Sequence, residues 1–445
     1  MYIVTIVISQ TPSTHEKSDT FELHLHEMFP EVWLRQLAKK TNFIKRERKI
    51  NSYIIFWSLT LGFSDRSQRT IAGLKRLYEK EANTSLSDSS WYYRFTPELV
   101  EFLRQCVIHG MEELAKEPGR KLSKKLEKFQ DVLIQDSTIV RLHDSLADKF
   151  PATRATKIAA GVKVGVMVSA VANGPKTVAL YSEKTAEIKT LKIGPWIKDR
   201  ILLVDLGFYK TQLFARVERN GGYFVSRIRK NMDPFIVSIE SGIPEEKWFI
   251  GKRVSEFTKQ LSGKNLDAVV KIAFKRRAYK GKQRKDEMLV RLVATYNCEE
   301  EKYHIYITNI QKDVLDVDDI AKLYGARWEI ELLFKELKSG YALDELDTKN
   351  VHIIKAFIWT SILTLIVSRR IHYFVKNSLV DAENKVRYTQ LRWSKIFASN
   401  VLDLLKLLLK NCEGKRIFET LMHVYRSQGL DPHVNRKRFR AQWFE

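Results

Sequence analysis

Three acidic residues stand where a carboxylate is either costly or purposeful. Asp136 interrupts the apolar run D-V-L-I-Q-D-S-T-I-V-R-L at 131–142, Asp205 closes the run I-L-L-V, and Glu331 lies within L-Y-G-A-R-W-E-I-E-L-L-F-K-E-L-K-S-G at 323–340. A carboxylate inside a sheet costs several kcal/mol unless it is paired or holds a cation. Ligands in α/β sheets also collect beyond the carboxyl ends of strands. Hard oxygen donors suit Mg²⁺, with Mn²⁺ as a substitute, and no His and Cys cluster with zinc spacing competes. Two such ions about 3.5 to 4 Å apart can activate a water or a 3′-hydroxyl and stabilise the leaving oxygen of a phosphodiester. Asp131, Asp144 and Asp148 are nearby in sequence but fall at turn or strand-edge positions.

The stretch around Glu331 predicts one amphipathic helix. With Tyr324 at zero and about 100° per residue, Arg327 falls near about −60°, Glu331 near about −20° and Lys338 near about −40°. These four residues share one narrow face, while Leu323, Ile330, Phe334 and Leu337 form an apolar seam beside it. Arg327 and Lys338, roughly 16 Å apart along the axis, can track a phosphate backbone. Glu329 and Glu336 fall at about 140° and 120°, away from the cations, and are expected in solvent. A surface helix with ordinary pairs such as Glu331 to Lys335 is the alternative. Gly325 weakens the helix and can set Tyr324 on a separate turn.

The elements that must position these acids follow from pattern. Strands are predicted at 131–142, 164–171 and 176–182, with Asn173-Gly174-Pro175 as the turn between the last two. A polar helix over 183–198, a buried strand ending at Asp205, a helix at 210–219 and a strand at 222–228 complete an α/β domain with a mixed sheet. Residues 232–312 interrupt it with further strands at 269–274, 288–296 and 303–307. Eight of the fifteen residues at 271–285 are Lys or Arg, Lys275, Arg276 and Arg277 among them, which makes a hairpin able to track phosphates or a merely solvated turn. The chain divides into a helical region 1–128, a core 129–231, a β-rich insertion 232–312, the Glu-bearing helix 313–345 and a helical region 346–445 with a basic tail at 435–440. Within the first region, a helix over 70–81, a short helix from Ser87 and another from Pro97 suit either helix-turn-helix DNA binding or a plain bundle. Arg66, Arg69, Lys75, Arg76 and Arg94 are its candidate phosphate contacts.

The 445 residues carry 76 Lys and Arg against 53 acids, a net charge of +23 that calls for a polyanionic partner. Nucleic acid comes first and an anionic membrane surface second. The apolar runs 54–63 and 356–367 are too short to span a bilayer and read as core helices. The N-terminal M-Y-I-V-T-I-V-I lacks a basic lead and cleavage site, so a cytoplasmic location is expected. Three scattered cysteines, Cys106, Cys298 and Cys412, argue against a disulfide framework.

The order of D-S-T at Asp136, D-L-G-F-Y at Asp205 and Y-x-x-R-x-x-x-E-x-x-x-x-x-x-K from Tyr324 to Lys338 resembles the DDE transposases with the Tyr-Arg-Glu-Lys signature, a large prokaryotic insertion-sequence family. The resemblance covers roughly 45–370, including R-F-T-P-E-L at Arg94. It implies a ribonuclease-H-like core holding two Mg²⁺ ions through Asp136, Asp205 and Glu331. It further implies that Tyr324, Arg327 and Lys338 contact transposon-end DNA, and that a homodimer pairs the ends, cuts in trans and joins them to target DNA. Where such enzymes pass through a hairpin, a base is flipped against an aromatic residue; Trp248, the only tryptophan of the insertion, is the candidate, with a core role as its alternative. A ribonuclease-H-like nuclease that does not join DNA, and a non-catalytic DNA-binding descendant, are the rival readings; the intact acidic triad argues against the second.

Overall fold

The computed structural model describes residues 20–116, 120–153, 159–241, 249–258, 260, 261, 263–276, 282–377, 390–410, 414–428 and 443. Six helices precede the sheet: α1 (Phe21–Met28), α2 (Glu31–Lys40), α3 (Ser52–Gly62), α4 (Ile71–Ala82), α5 (Asp88–Tyr92) and α6 (Pro97–Lys116). Asn51, Thr70 and Ser87 cap α3, α4 and α5 by accepting from backbone N–H groups of the first turn, which satisfies donors the helix itself leaves open. The predicted helices at 70–81, from Ser87 and from Pro97 are therefore present. α5 packs on α4: the Trp91 indole N–H donates to the Ile71 carbonyl at 2.9 Å and the ring stacks on Tyr78. Two of the candidate phosphate contacts are engaged within the protein. Arg69 donates to the Phe63 and Ser64 carbonyls and pairs with Glu345, and Lys75 pairs with Asp88 at 2.9 Å.

The core strands are β1 (Asp131–Leu142), β2 (Ala160–Ser169), β3 (Gly174–Ser182), β4 (Arg200–Val204) and, after α7 (Thr211–Arg219), β5 (Tyr223–Arg227). They lie in the order β3-β2-β1-β4-β5, with β1, β2 and β3 antiparallel and β1, β4 and β5 parallel. This meander followed by parallel strands is the mixed, ribonuclease-H-like core implied by the sequence resemblance. The predicted helix over 183–198 is absent. Two 3₁₀ turns, Glu187–Lys189 and Pro195–Ile197, stand there instead, and Gly194-Pro195 bars any helix from running through to Lys198.

The insertion contributes β6 (Phe235–Ser241), the short α8 (Val254–Thr258), β7 (Leu266–Lys275), β8 (Lys285–Asn297) and β9 (Lys302–Thr308). Its strands are longer than the apolar runs suggested, and β6 had no counterpart in the sequence reading. They continue the core sheet, since β9 pairs antiparallel with β5 and the full order is β3-β2-β1-β4-β5-β9-β8-β7-β6. Among the described residues after 313 the elements are helices: α9 (Val317–Gly325), α10 (Trp328–Tyr341), α11 (Val351–Asn377), α12 (Gln390–Ser399), α13 (Val401–Lys410) and α14 (Gly414–Gln428). By length and hydropathy α11 could cross a membrane, which the shorter run 356–367 did not suggest. Its most apolar window is 83% buried inside the protein, as a core helix is.

Alternation along β1 sorts the core into two layers. Val132, Ile134 and Val140 face the helical side, whereas Leu133 joins Leu202, Val204, Phe214 and the inward residues of β7 and β8. A buried ion pair ties the insertion to the chain that returns from it. Arg291 donates to both carboxylate oxygens of Asp267 at 2.8 Å and to the carbonyls of Ile310 and Leu315 at 3.1 and 2.7 Å. Breaking a buried pair from one side leaves an uncompensated charge, so Asp267→Ala is expected to cost about 3–5 kcal/mol. The exposed Lys271 to Glu287 pair on the same strands should cost at most about 1 kcal/mol when Lys271 is removed. Urea denaturation of the two variants tests this; similar midpoints for both would refute the anchoring role of Arg291.

Candidate active site

The parallel register of β1 and β4 sets the first two acids side by side. Gln135 pairs with Val204, so Asp136 and Asp205 are the next residues at one level of neighbouring chain segments. Asp136 shares the face of β1 that carries Ile134 and Val140 toward the helices, and Asp205 opens the turn Leu206–Phe208 that leads into α7. The backbone N–H of Ser137 donates to Asp136 Oδ1 at 2.8 Å.

The third acid arrives on α10. The expected single helix over 323–340 is two helices, broken at Ala326 and Arg327 just after Gly325. Asp316 and Asp319 open α9 with a reciprocal capping box. The break turns Tyr324 inward. Its ring packs against Tyr306, its hydroxyl donates to Asp205 Oδ1 at 3.4 Å, and the guanidinium groups of Arg227 and Arg327 lie 5.7 and 6.0 Å from its ring centre.

Arg327 joins two of the three acids. It pairs with Asp136 Oδ2 at 3.6 Å and with Glu331 one turn along. Burial opposes its charge, but Tyr324, Glu331 and Asp205 together hold its pKa above the ordinary arginine value. Burial pushes the Asp136 carboxyl up to about 6; the Ser137 N–H and Arg327 favour its charged form, and Glu187 and Asp205 oppose it. Lys338, further along α10, donates from Nζ to the Ile139 carbonyl at 3.3 Å.

The back of α10 corrects the expectation for Glu329 and Glu336. Neither is in solvent: Glu329 is 8% exposed and pairs with Arg120 at 3.3 Å, and Glu336 is fully buried against Arg369 and the Tyr341 hydroxyl. The wheel assumed one open side, but α11 and α12 cover it. α12 comes so close that a Cβ at Gly340 would lie 2.9 Å from Ser394. The seam of Leu323, Ile330, Phe334 and Leu337 is buried as expected.

The basic hairpin is only partly in view. Lys275 ends β7, and its carbonyl accepts from the Gln212 side chain of α7 at 2.6 Å; Arg276 pairs with Asp286. Arg277, Trp248 and the tail 435–440 lie outside the described residues. Sequence reasoning missed three residues near Asp205. Arg227 faces Tyr324, Arg229 donates to the Leu206 carbonyl at 3.0 Å, and Glu187 reaches Ser137. Arg227 ends β5 and Arg229 follows it, at the end of the sheet where Asp205 sits, which is the signal that marks them.

The donor set is all oxygen and anionic, which fits a hard divalent cation. Among the described residues no three acidic, His or Cys side chains converge at ligating distance, and the Arg327 guanidinium supplies the compensating charge. A family profile described as "Transposase DDE domain" matches residues 127–367, more than half of the 445-residue chain. The chain belongs to this transposase family. It is 22% identical over 450 residues to the transposase for insertion sequence element IS1151 of Clostridium perfringens, covering 91% of each chain. It is 21% identical over 460 residues to that for IS231E of Bacillus thuringiensis subsp. finitimus, covering 94% of this chain and 93% of the other. The piggyBac transposase in a synaptic complex with hairpin DNA aligns over 96% of this chain and 89% of its own, with a TM-score of 0.46 and 11% identity. The transposase thus places Asp136 and Glu331 on one guanidinium, with Asp205 tied to the neighbouring phenol. Arg327→Met is expected to cost on the order of 2 kcal/mol in the parent and less in an Asp136→Asn, Glu331→Gln background. Equal costs in a denaturation cycle would show that Arg327 does not compensate these acids.

Proposed function

We propose that this transposase cleaves the ends of its element and joins them to target DNA with Mg²⁺, or Mn²⁺ in its place, held by Asp136, Asp205 and Glu331. The observation that carries the reading is that a strand acid, Asp136, and a helix acid, Glu331, share one guanidinium, Arg327, while Asp205 at the neighbouring strand end is held by the Tyr324 hydroxyl. Two bound divalent cations would activate a water or 3′-hydroxyl and stabilise the leaving oxygen. The chain's own part is to orient and to neutralise. Tyr324 holds Asp205 toward Asp136, and Arg327 is positioned to exchange a carboxylate for a phosphate of the DNA end. Lys338 extends the cationic edge along α10. Lys275 and Arg276 at the stem of the basic hairpin track the backbone, with Arg277 and Trp248 completing the contacts of the insertion.

The net charge of +23 supports a DNA partner, and the division into N-terminal, core, insertion and C-terminal regions assigns end binding to residues 1–128 and chemistry to 129–231 and 313–345. The active form is a homodimer that pairs two ends in the cytoplasm. Asp205→Asn and Glu331→Gln should each lower cleavage of the terminal inverted repeats by about 10³-fold, the effect of losing about 4 kcal/mol of transition-state stabilisation. Rates equal to the parent would sink the assignment. Pre-cut ends and a target plasmid separate the reading from a nuclease, which gives no joined product. Lys275→Ala should reduce the slope of log K against log salt for duplex binding by about 0.9, one phosphate contact; an unchanged slope removes Lys275 from the interface.

A further inference from the structure

The segment between β3 and β4 brings a further acid to the two aspartates. Glu187 opens a 3₁₀ turn there. On one side the Ser137 hydroxyl donates to Glu187 Oε1 at 3.3 Å, while the Ser137 backbone N–H donates to Asp136. On the other side lies Gly207, two residues after Asp205. A Cβ built on Gly207 would come within 1.6 Å of Glu187 Oε2 and 2.8 Å of its Cδ. The φ of Gly207 is not positive, so nothing in its own backbone conformation demands glycine. What its missing side chain provides is the space the Glu187 carboxylate fills. The acid is therefore seated between the Asp136 strand and the Asp205 turn, held by the neighbours of both.

Charge balance then asks for a cation. Asp136 and Glu331 share Arg327, and Glu183, a few residues before Glu187, pairs with Arg141 at 2.6 Å. Among the described residues Glu187 forms no ion pair, and its fixed contact is a neutral hydroxyl. A carboxylate seated between the segments that carry two others, without a counter-ion, adds to their repulsion, an arrangement that a divalent cation offsets.

We propose that Glu187 is a fourth carboxylate of the divalent-cation centre, and that position 207 is glycine because it seats this side chain. The proposal rests on the reading of Asp136, Asp205 and Glu331 as metal ligands. It is tested by Mn²⁺ binding to the full-length, DNA-free protein, read from the electron paramagnetic resonance signal of free Mn²⁺, with thermal melting as a check of folding. Glu187→Gln should weaken Mn²⁺ binding about 10- to 100-fold, the range typical for losing a supporting group of a metal site. Gly207→Ala, which pushes the carboxylate aside and leaves it charged, should weaken binding in the same direction. Combined with Glu187→Gln, it should add little, because the two changes act through one group. If Glu187→Gln binds Mn²⁺ as the parent does while Asp205→Asn does not, the fourth carboxylate is refuted and the three-acid reading stands. If Asp205→Asn also binds as the parent does, both are refuted.

Discussion

The arrangement turns on the repulsion among acids placed at the end of a buried sheet, and on Arg327 as the cation that holds them. Asp136 and Asp205 are forced into proximity by backbone register alone, because Gln135 pairs with Val204 in the parallel β1–β4 ladder. Register cannot be relaxed without moving every apolar side chain of β1 to the wrong layer. The cost of adjacent carboxylates must be met by a positive charge, and it is met from α10, whose first residues bring Arg327 and Glu331 together. An arginine suits this place because its planar fork reaches two acids at once and keeps its charge when partly buried.

A helix that carries such a charge has to be fixed from behind, and α10 is. Glu336 is buried against Arg369 of α11, and the Tyr341 hydroxyl donates to Ser368, which also accepts from the Trp393 indole N–H of α12 at 2.9 Å. Near its start, Glu329 pairs with Arg120, which also contacts Asn173 at the β2–β3 turn, and Gln390 donates to that same Asn173 side chain at 2.8 Å. The polar contacts on the buried side thus join the segment before β1, the β2–β3 turn, α11 and α12 to the helix that presents Glu331. Such pairs contribute little net stability over apolar residues of equal volume, whereas breaking one from a single side leaves an uncompensated buried charge.

What could be seen in the sequence follows the range of the forces involved. Strands β1, β3 and β4, the capped starts of α4, α5 and α6, and the seam of α10 are written in local periodicity and in cap residues, and they appear close to where those signals put them. The break at Ala326 and Arg327 was foreshadowed by Gly325. The burial of Glu329 and Glu336 was not, because the charge of a residue says nothing about a covering helix that arrives from later in the chain. Glu187 escaped for a similar reason. Its segment has the polarity of a helix, and only the meeting of its turn with the Asp205 turn, through the empty side of Gly207, gives it a place. The pairing of β9 with β5 is likewise a long-range event that local pattern does not record.

That pairing decides what the insertion does for the site. The chain leaves the core after β5 and must return so that α9 delivers Tyr324 to Asp205. β9 re-enters by hydrogen-bonding to β5, and Arg291, held by Asp267 on the neighbouring strand, takes the carbonyls of Ile310 and Leu315 just before the capping box that starts α9. The origin and direction of α9 are therefore set by residues of the insertion and not by the core alone. Midway through the excursion, at the end of β7, Gln212 of α7, a helix that begins just after the Asp205 turn, holds the Lys275 carbonyl. The insertion is thus tied midway to α7 and at its exit to the start of α9, the helices next to Asp205 and bearing Tyr324. Excising it would remove the frame that sets the distance between the second acid and the third.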